Sequence, residues 1–244
     1  TETGTFTLTP VNVTVQTSPP GLGFIVDGTP YSGSQVFIWS ATAPHILSTT
    51  SPQGDTATRF IFAGWSDAGT QTHTVNPIRD TTFTVKFSTQ YFLTMDPGTG
   101  GGTLSPASGW FNNGQTITIT GTPNADYDFG IWSGNGLSSY SGINNPATFT
   151  ITDPVTETAS FARKPVQIVI QSNPAGRPFI YDGVTYTVPQ NVTVNPGTQH
   201  FLGVDAPQSI GVGVQYAWKN WSDGGGQYHA VFPDTNATYT VNFV

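Results

Sequence analysis

The chain contains no cysteine, so no disulfide, thiolate nucleophile or cysteine-bound zinc is available to it. Positive charge is scarce too. Seven Lys and Arg stand against 14 Asp and Glu in 244 residues, a formal net charge of −7. Phosphate backbones are held by clustered cations, and the only adjacent basic pair is Arg163-Lys164. Nucleic acid is therefore excluded as a partner, and an anionic membrane surface is disfavoured for the same reason. No apolar run is long enough to span a bilayer, so no membrane insertion is expected. No stretch of ten residues carries helical periodicity with caps. Low charge does not signal disorder here, because 36% of the residues are hydrophobic and 13% aromatic, enough to fill small cores.

What the chain does have is alternation. Thr5-Phe6-Thr7-Leu8-Thr9, Val11-Asn12-Val13-Thr14-Val15, Thr116-Ile117-Thr118-Ile119-Thr120 and Thr238-Tyr239-Thr240-Val241-Asn242-Phe243 place apolar side chains at every second residue. That period sets one face of a strand on a core and the other in water, and threonine suits the wet face. The 28 Gly and 19 Pro interrupt these runs at short intervals. The pattern predicts an all-β chain of short strands.

It also repeats. Trp65-Ser66-Asp67-Ala68-Gly69-Thr70-Gln71-Thr72-His73 returns as Trp221-Ser222-Asp223-Gly224-Gly225-Gly226-Gln227-Tyr228-His229, a shared W-S-D-x-G-x-Q-x-H. Phe24-Ile25-Val26-Asp27-Gly28 matches Phe179-Ile180-Tyr181-Asp182-Gly183 at an offset of 155, as His45 matches His200. One inserted residue raises the offset to 156, which aligns Thr84-Val85-Lys86-Phe87 with Thr240-Val241-Asn242-Phe243. A divergent unit lies between the copies, with Trp132-Ser133-Gly134 in place of Trp-Ser-Asp and no histidine. The expected organisation is an N-terminal extension strand (1–10) followed by modules over 11–89, 90–163 and 164–244. Short linkers near Ser88–Gln90 and Arg163–Pro165 suggest three tandem small β-sandwiches, Ig-like or β-grasp-like, arranged as a semi-rigid rod.

The middle unit resembles the divergent B-repeat of bacterial surface proteins, the internalin-type repeat. The resemblance rests on Tyr91-Phe92-Leu93-Thr94, Gly100-Gly101-Gly102-Thr103-Leu104-Ser105-Pro106, Gly114-Gln115-Thr116-Ile117, Trp132-Ser133-Gly134, Asn145-Pro146-Ala147-Thr148 and Ala159-Ser160-Phe161. The outer units resemble a related repeat with an Asp-Gly hairpin and a Trp-Ser-Asp-x-Gly string. Such repeats serve as stalks, spacers or adhesive modules, so the resemblance implies a non-enzymatic extracellular or cell-surface role. It transfers no catalytic residue.

Asp, His and Ser recur together, which invites a hydrolase reading. Ser66 and Asp67 are adjacent and point to opposite faces if the strand continues through them, and no G-x-S-x-G elbow is present. Copying favours a structural role. Trp65, Ser66, Asp67 and His73, with Trp221, Ser222, Asp223 and His229, are read as a module signature in which Trp anchors a core and Asp accepts turn N–H groups. Asp27, His45, Asp67 and His73, or Asp182, His200, Asp223 and His229, could in principle ligate zinc, and Asn124, Asp126 and Asp128 calcium. The spacings carry no close ligand pair, so no metal or other cofactor is expected.

Aromatics that are not repeated are better binding candidates than repeated ones, because the shared core does not require them. Trp39, Trp110 and Tyr140 are the candidates to face a ligand such as a polysaccharide. Asn12, Asn191, Asn220 and Asn236 head N-glycosylation patterns. A chain opening Thr-Glu-Thr reads as processed from a longer secreted precursor. The spare strand Thr5-Phe6-Thr7-Leu8-Thr9 has no counterpart before the third module and needs a partner, in its own module or another copy. The leading expectation is a surface filament subunit or adhesin stalk that self-associates or meets other surface components. The alternative is a carbohydrate-binding accessory region of a secreted enzyme.

Overall fold

The computed structural model describes residues 9–244, and every regular element in them is a β-strand. The chain is all-β, as expected, and its strands form several separate sheets. Of the spare strand Thr5–Thr9, only Thr9 lies within the described residues. The chain divides into two compact units. One comprises residues up to Thr122 with Gly130–Ser160, the other Pro123–Phe129 with Phe161–Val244.

In the first unit, the strand Pro10–Ser18 runs parallel to the start of Thr81–Asp96, with Val13 opposite Thr81. Gln35–Ser40 pairs antiparallel on its other side and, among the described residues, ends the sheet there. Thr58–Trp65 pairs antiparallel with Thr81–Asp96. A separate sheet orders Thr29–Ser32, Gly23–Val26, His45–Ser48 and Thr72–Val75. Val13, Val15, Phe83 and Val85 from one sheet meet Phe24, Val26 and Leu47 from the other in one core. Each such side chain taken from water contributes ~1.5–3 kcal/mol. The hairpin between Gly23–Val26 and Thr29–Ser32 turns on Asp27 (φ 49°) and Gly28 (φ 82°), the two positive values its tight turn requires.

The expected linker at Ser88–Gln90 is instead the middle of a 16-residue strand, Thr81–Asp96. The reason is visible in its residues. No Gly or Pro interrupts it, and Phe83, Val85, Phe87 and Leu93 keep a single alternating phase of buried positions. Beyond the expected border, Gln90–Leu93 pairs with Gly109–Asn112 and Leu93–Asp96 runs parallel to Val155–Thr158. Ile117, Ile119, Trp132, Ile151 and Ala159 are buried there. So is Glu157, which shares the inward phase of Val155 and Ala159. Its Oε1 accepts the Tyr140 N–H at 2.6 Å, and burial raises its carboxyl above the usual range despite that bond.

Residues 166–243 of the second unit repeat the first module's two sheets, with the single strand Thr58–Trp65 matched there by two, Val214–Tyr216 and Trp218–Trp221. Val166–Asn173 lies parallel to Ala237–Phe243, with Ile168 opposite Ala237, and antiparallel to Gln190–Val194. Its companion sheet orders Val184–Tyr186, Phe179–Tyr181, His200–Gly203 and Tyr228–Val231. Ile168, Ile170, Phe179, Leu202, Trp221 and Val241 form its core.

Candidate functional site

The W-S-D-x-G-x-Q-x-H segments build the same arrangement twice. Trp65 and Trp221 end their strands buried in the two cores, and each indole N–H points at the carbonyl of the motif's glutamine, Gln71 at 3.4 Å and Gln227 at 3.3 Å. The serine hydroxyls serve neighbouring backbone: Ser66 Oγ accepts the Thr84 N–H and Ser222 Oγ the Thr240 N–H, both at 2.9 Å. One carboxylate oxygen of Asp67 accepts the Gly69 N–H and the other faces His73 Nε2 at 3.0 Å. Asp223 does the same with Gly225 and with His229 Nε2 at 2.9 Å. The opposite ring nitrogens face carbonyls, Thr70 O at 2.9 Å and Gly226 O at 2.7 Å. Each ring thus lies between a carboxylate and a backbone carbonyl. Gln71 and Gln227 amides reach across to the carbonyls of Thr49 and Val204 at 2.8 Å.

The shared glycine has a steric cause. A Cβ on Gly69 or Gly225 would stand only 2.3–2.6 Å from atoms of the His73 or His229 ring, too close for the ring to stay in place. Those rings stand edge-on to Trp65 and Trp221, with centroids 5.4 and 5.8 Å away. Serine and histidine are therefore held by different partners. The serine oxygens bond the closing strand and the histidine nitrogens bond the turn.

A second Asp–His pair lies in each outer module. Asp27 Oδ2 is 2.7 Å from His45 Nδ1, and its Oδ1 accepts the Ile46 N–H. Asp182 pairs with His200 at 2.8 Å and accepts the Phe201 N–H. Burial acts to raise both carboxyls, but the hydrogen bonds from histidine and backbone, with the histidine charge, hold them below the usual range. Tyr181, beside Asp182 and His200, is pushed up to about 12 by burial and by the Asp182 charge. A depressed folded-state value means that the unfolded chain takes the proton first. The stabilisation from Asp27 and Asp182 is therefore full above the usual aspartate value of about 3.9 and is lost as pH falls through the lower folded value. Urea unfolding between pH 2 and 6 should show this acid slope, and Asp27→Asn with Asp182→Asn should flatten it. Asparagine keeps the backbone N–H bond and tolerates the left-handed φ of 49° and 45° at these positions.

Of the expected ligand-facing aromatics, Trp39 is a core residue. It is 7% exposed and stacked on His45, with ring centroids 3.8 Å apart. In the third module Val194 takes its place, and Tyr181, which replaces Val26, stacks on the equivalent His200 instead. The aromatic has moved from one strand to another while covering the same histidine. Trp110 is half-buried between Phe92 and the Arg59 guanidinium, 4.4 Å above its ring. Tyr140 is half-buried too, and its hydroxyl accepts the Asn144 N–H at 3.2 Å. Asn12, Asn191, Asn220 and Asn236 are all exposed. Asn236 Oδ1 accepts the Gln167 N–H, the task Asp80 performs for Asn12 in the first module.

The suggested metal sets are not assembled. Among the described residues no group of three or more His, Asp or Glu side chains is gathered as a metal site. Around the suggested calcium stretch, Lys164 Nζ lies 2.9 Å from the Ala125 carbonyl and 3.8 Å from Asp128. The reading from sequence overlooked the outer face of the third module's Phe179–Tyr181 sheet, where Phe201 and Tyr228 stand more than half exposed. Tyr228 was findable, since it aligns with Thr72 and is not a repeated aromatic.

Comparison with known proteins locates the middle module. Residues 91–165 match the family model of the divergent InlB B-repeat domain, the stretch in which the B-repeat residues were recognised. No curated protein matches the chain. Among solved structures, the Bacillus anthracis TIE protein aligns with 96% of this chain and 51% of its own length, at 8% identity and a TM-score of 0.32. The chain thus spans about half the length of that protein. Among the described residues, no helix is long and apolar enough to cross a membrane.

Proposed function

We propose that this chain is a structural, non-enzymatic part of a bacterial surface repeat protein, acting outside the cell as a stalk or filament segment. One observation carries the reading: the motif that most resembles an active site has its Ser, Asp, Gln and His side chains bonded inside its own module, twice over. A catalytic group needs reach toward a substrate. These groups instead tie a turn to the strands on either side of it. The B-repeat match over residues 91–165 supports the same class.

Assembly by strand donation completes the proposal. Among the described residues the strand Gln35–Ser40 ends its sheet, and it exposes Val36 (66%) and Ile38 (76%), where the third module has Asn191 and Thr193. Two apolar residues on a free edge form a receptor for an added strand. Phe6 and Leu8 have the spacing to cover them from a neighbouring copy. Deleting residues 1–8, or substituting Val36→Asn with Ile38→Thr, should convert polymers to folded monomers in light scattering and electron microscopy. Polymers that persist in both variants, or an intact chain that stays monomeric at every concentration, would overturn the assembly step.

A further inference from the structure

We infer that the outer face of the third module's Phe179–Tyr181 sheet binds neutral hexopyranose polysaccharide, a role separate from strand donation. Ile180, Gly203 and Tyr228 lie opposite one another on three adjacent strands. Gly203 forms a floor: a Cβ there would sit 2.5 Å from Tyr228 Cδ1, so the phenol ring lies directly over the backbone. The ring's far end is tied by its hydroxyl to the Asp205 carboxylate. One ring face is thus seated and the other presented, leaving Tyr228 57% exposed. Phe201 is its diagonal neighbour on the same sheet face and is 55% exposed. With Ile180 they line an open depression of about 840 Å³, rimmed by Asp182 and His229.

This face is an addition to the shared fold. At the equivalent positions the first module has Ser48 for Gly203, Thr50 for Asp205 and Thr72 for Tyr228, with Ile46 for Phe201. Floor, ring and tether are physically interdependent, and all three differ together. The module closes its core without them, as the first copy demonstrates.

The ligand class follows from the chemistry. A fixed aromatic face offers its surface to the C–H face of a pyranose, and immobilising the ring beforehand lowers the entropy cost of binding. Asp182 and Asp205 retain lone pairs beyond the bonds they accept, and carboxylates accept hydroxyl hydrogens. Nucleobases stack on such rings as well, but their phosphates would meet two carboxylates on a chain of net charge −7. Uronic and phosphorylated glycans are disfavoured on the same ground, leaving neutral sugars.

The test is affinity electrophoresis of the full chain in native gels containing hydroxyethyl cellulose, mannan or galactan, with polygalacturonate as the anionic control. The comparison variant carries Gly203→Ser, Asp205→Thr and Tyr228→Thr, residues the first module already accommodates. The expected result is retardation by at least one neutral polymer, weakened about tenfold or more in the variant at unchanged melting temperature, the scale of a lost stacking contact. The reverse graft, Ser48→Gly with Thr50→Asp and Thr72→Tyr, should strengthen retardation by adding a second platform. Absence of retardation in all three neutral gels, equal retardation of the variant, or equal retardation by polygalacturonate overturns the inference. So does a concentration-dependent dimer that the triple substitution abolishes, because a second copy would then occupy the face.

Discussion

Replacing Gly225 by alanine is expected to destabilise the third module by about 2–4 kcal/mol, the sum of forced repacking and of polar groups left without partners. The backbone contributes little, because Gly225 does not occupy a left-handed conformation, unlike its neighbour Gly224 at φ 80°. The cost arises from the ring of His229, whose nearest atoms lie 2.3 Å from where a Cβ would stand. To admit a methyl group the ring must swing out, parting from Asp223, from the Gly226 carbonyl and from the indole of Trp221. A second substitution isolates this cause. In a His229→Ala background, Gly225→Ala should cost under about 1 kcal/mol, so the two changes should couple strongly in a double-mutant cycle. Urea unfolding of the four chains measures it. Equal cost in both backgrounds would mean that the glycine serves something other than the ring. Gly69 and His73 should behave alike in the first module.

The repeat made most of the fold legible, because copied residues perform copied tasks. The offsets of 155 and 156 read from the sequence return as strand registers: Val13 faces Thr81 as Ile168 faces Ala237. The hairpins at Asp27-Gly28 and Asp182-Gly183 were equally plain, since few dipeptides accept two positive φ values. The strand is continuous through the short linker expected at Ser88–Gln90, where the sequence carries no Gly or Pro to break it. Trp39 was misread for a different reason. Its loss in the third module looked like freedom from the core, but Val26 and Trp39 in one copy correspond to Tyr181 and Val194 in the other. That exchange becomes meaningful only once folding brings both positions to the same histidine. Glu157 carried a usable signal, the inward phase of Val155, Ala159 and Phe161, which a carboxylate on a strand normally avoids. The Phe201–Tyr228 face is a tertiary feature. Its floor and tether, Gly203 and Asp205, come from one segment and its ring, Tyr228, from another, and no local pattern encodes their adjacency.

Truncating Trp221 to alanine should have the largest effect of any single change in the motif, about 3–5 kcal/mol. The indole is 1% exposed, lies in the core with Ile168, Ile170 and Leu202, and donates its N–H to the Gln227 carbonyl. Removing it opens a cavity that β-strands, held by their ladders, close poorly, and leaves that carbonyl without its donor. The ranking within the motif is the stronger test. If the motif closes the core, stability should fall most for Trp221→Ala, next for Gly225→Ala, and by about 0.5–2 kcal/mol each for Ser222→Ala, Asp223→Ala and His229→Ala, which remove hydrogen bonds at a half-exposed turn. Hydrogen exchange should localise the damage: amides of residues 164–244 lose protection in Trp221→Ala, whereas those of residues 11–89 keep theirs, because each outer module has a core of its own. The opposite ranking would identify a functional site. Groups held for catalysis are tolerated at some cost to stability, so replacing Asp223 and His229 would leave the melting temperature unchanged or raise it. That outcome would return the W-S-D-x-G-x-Q-x-H segment to the reading its residues first suggest.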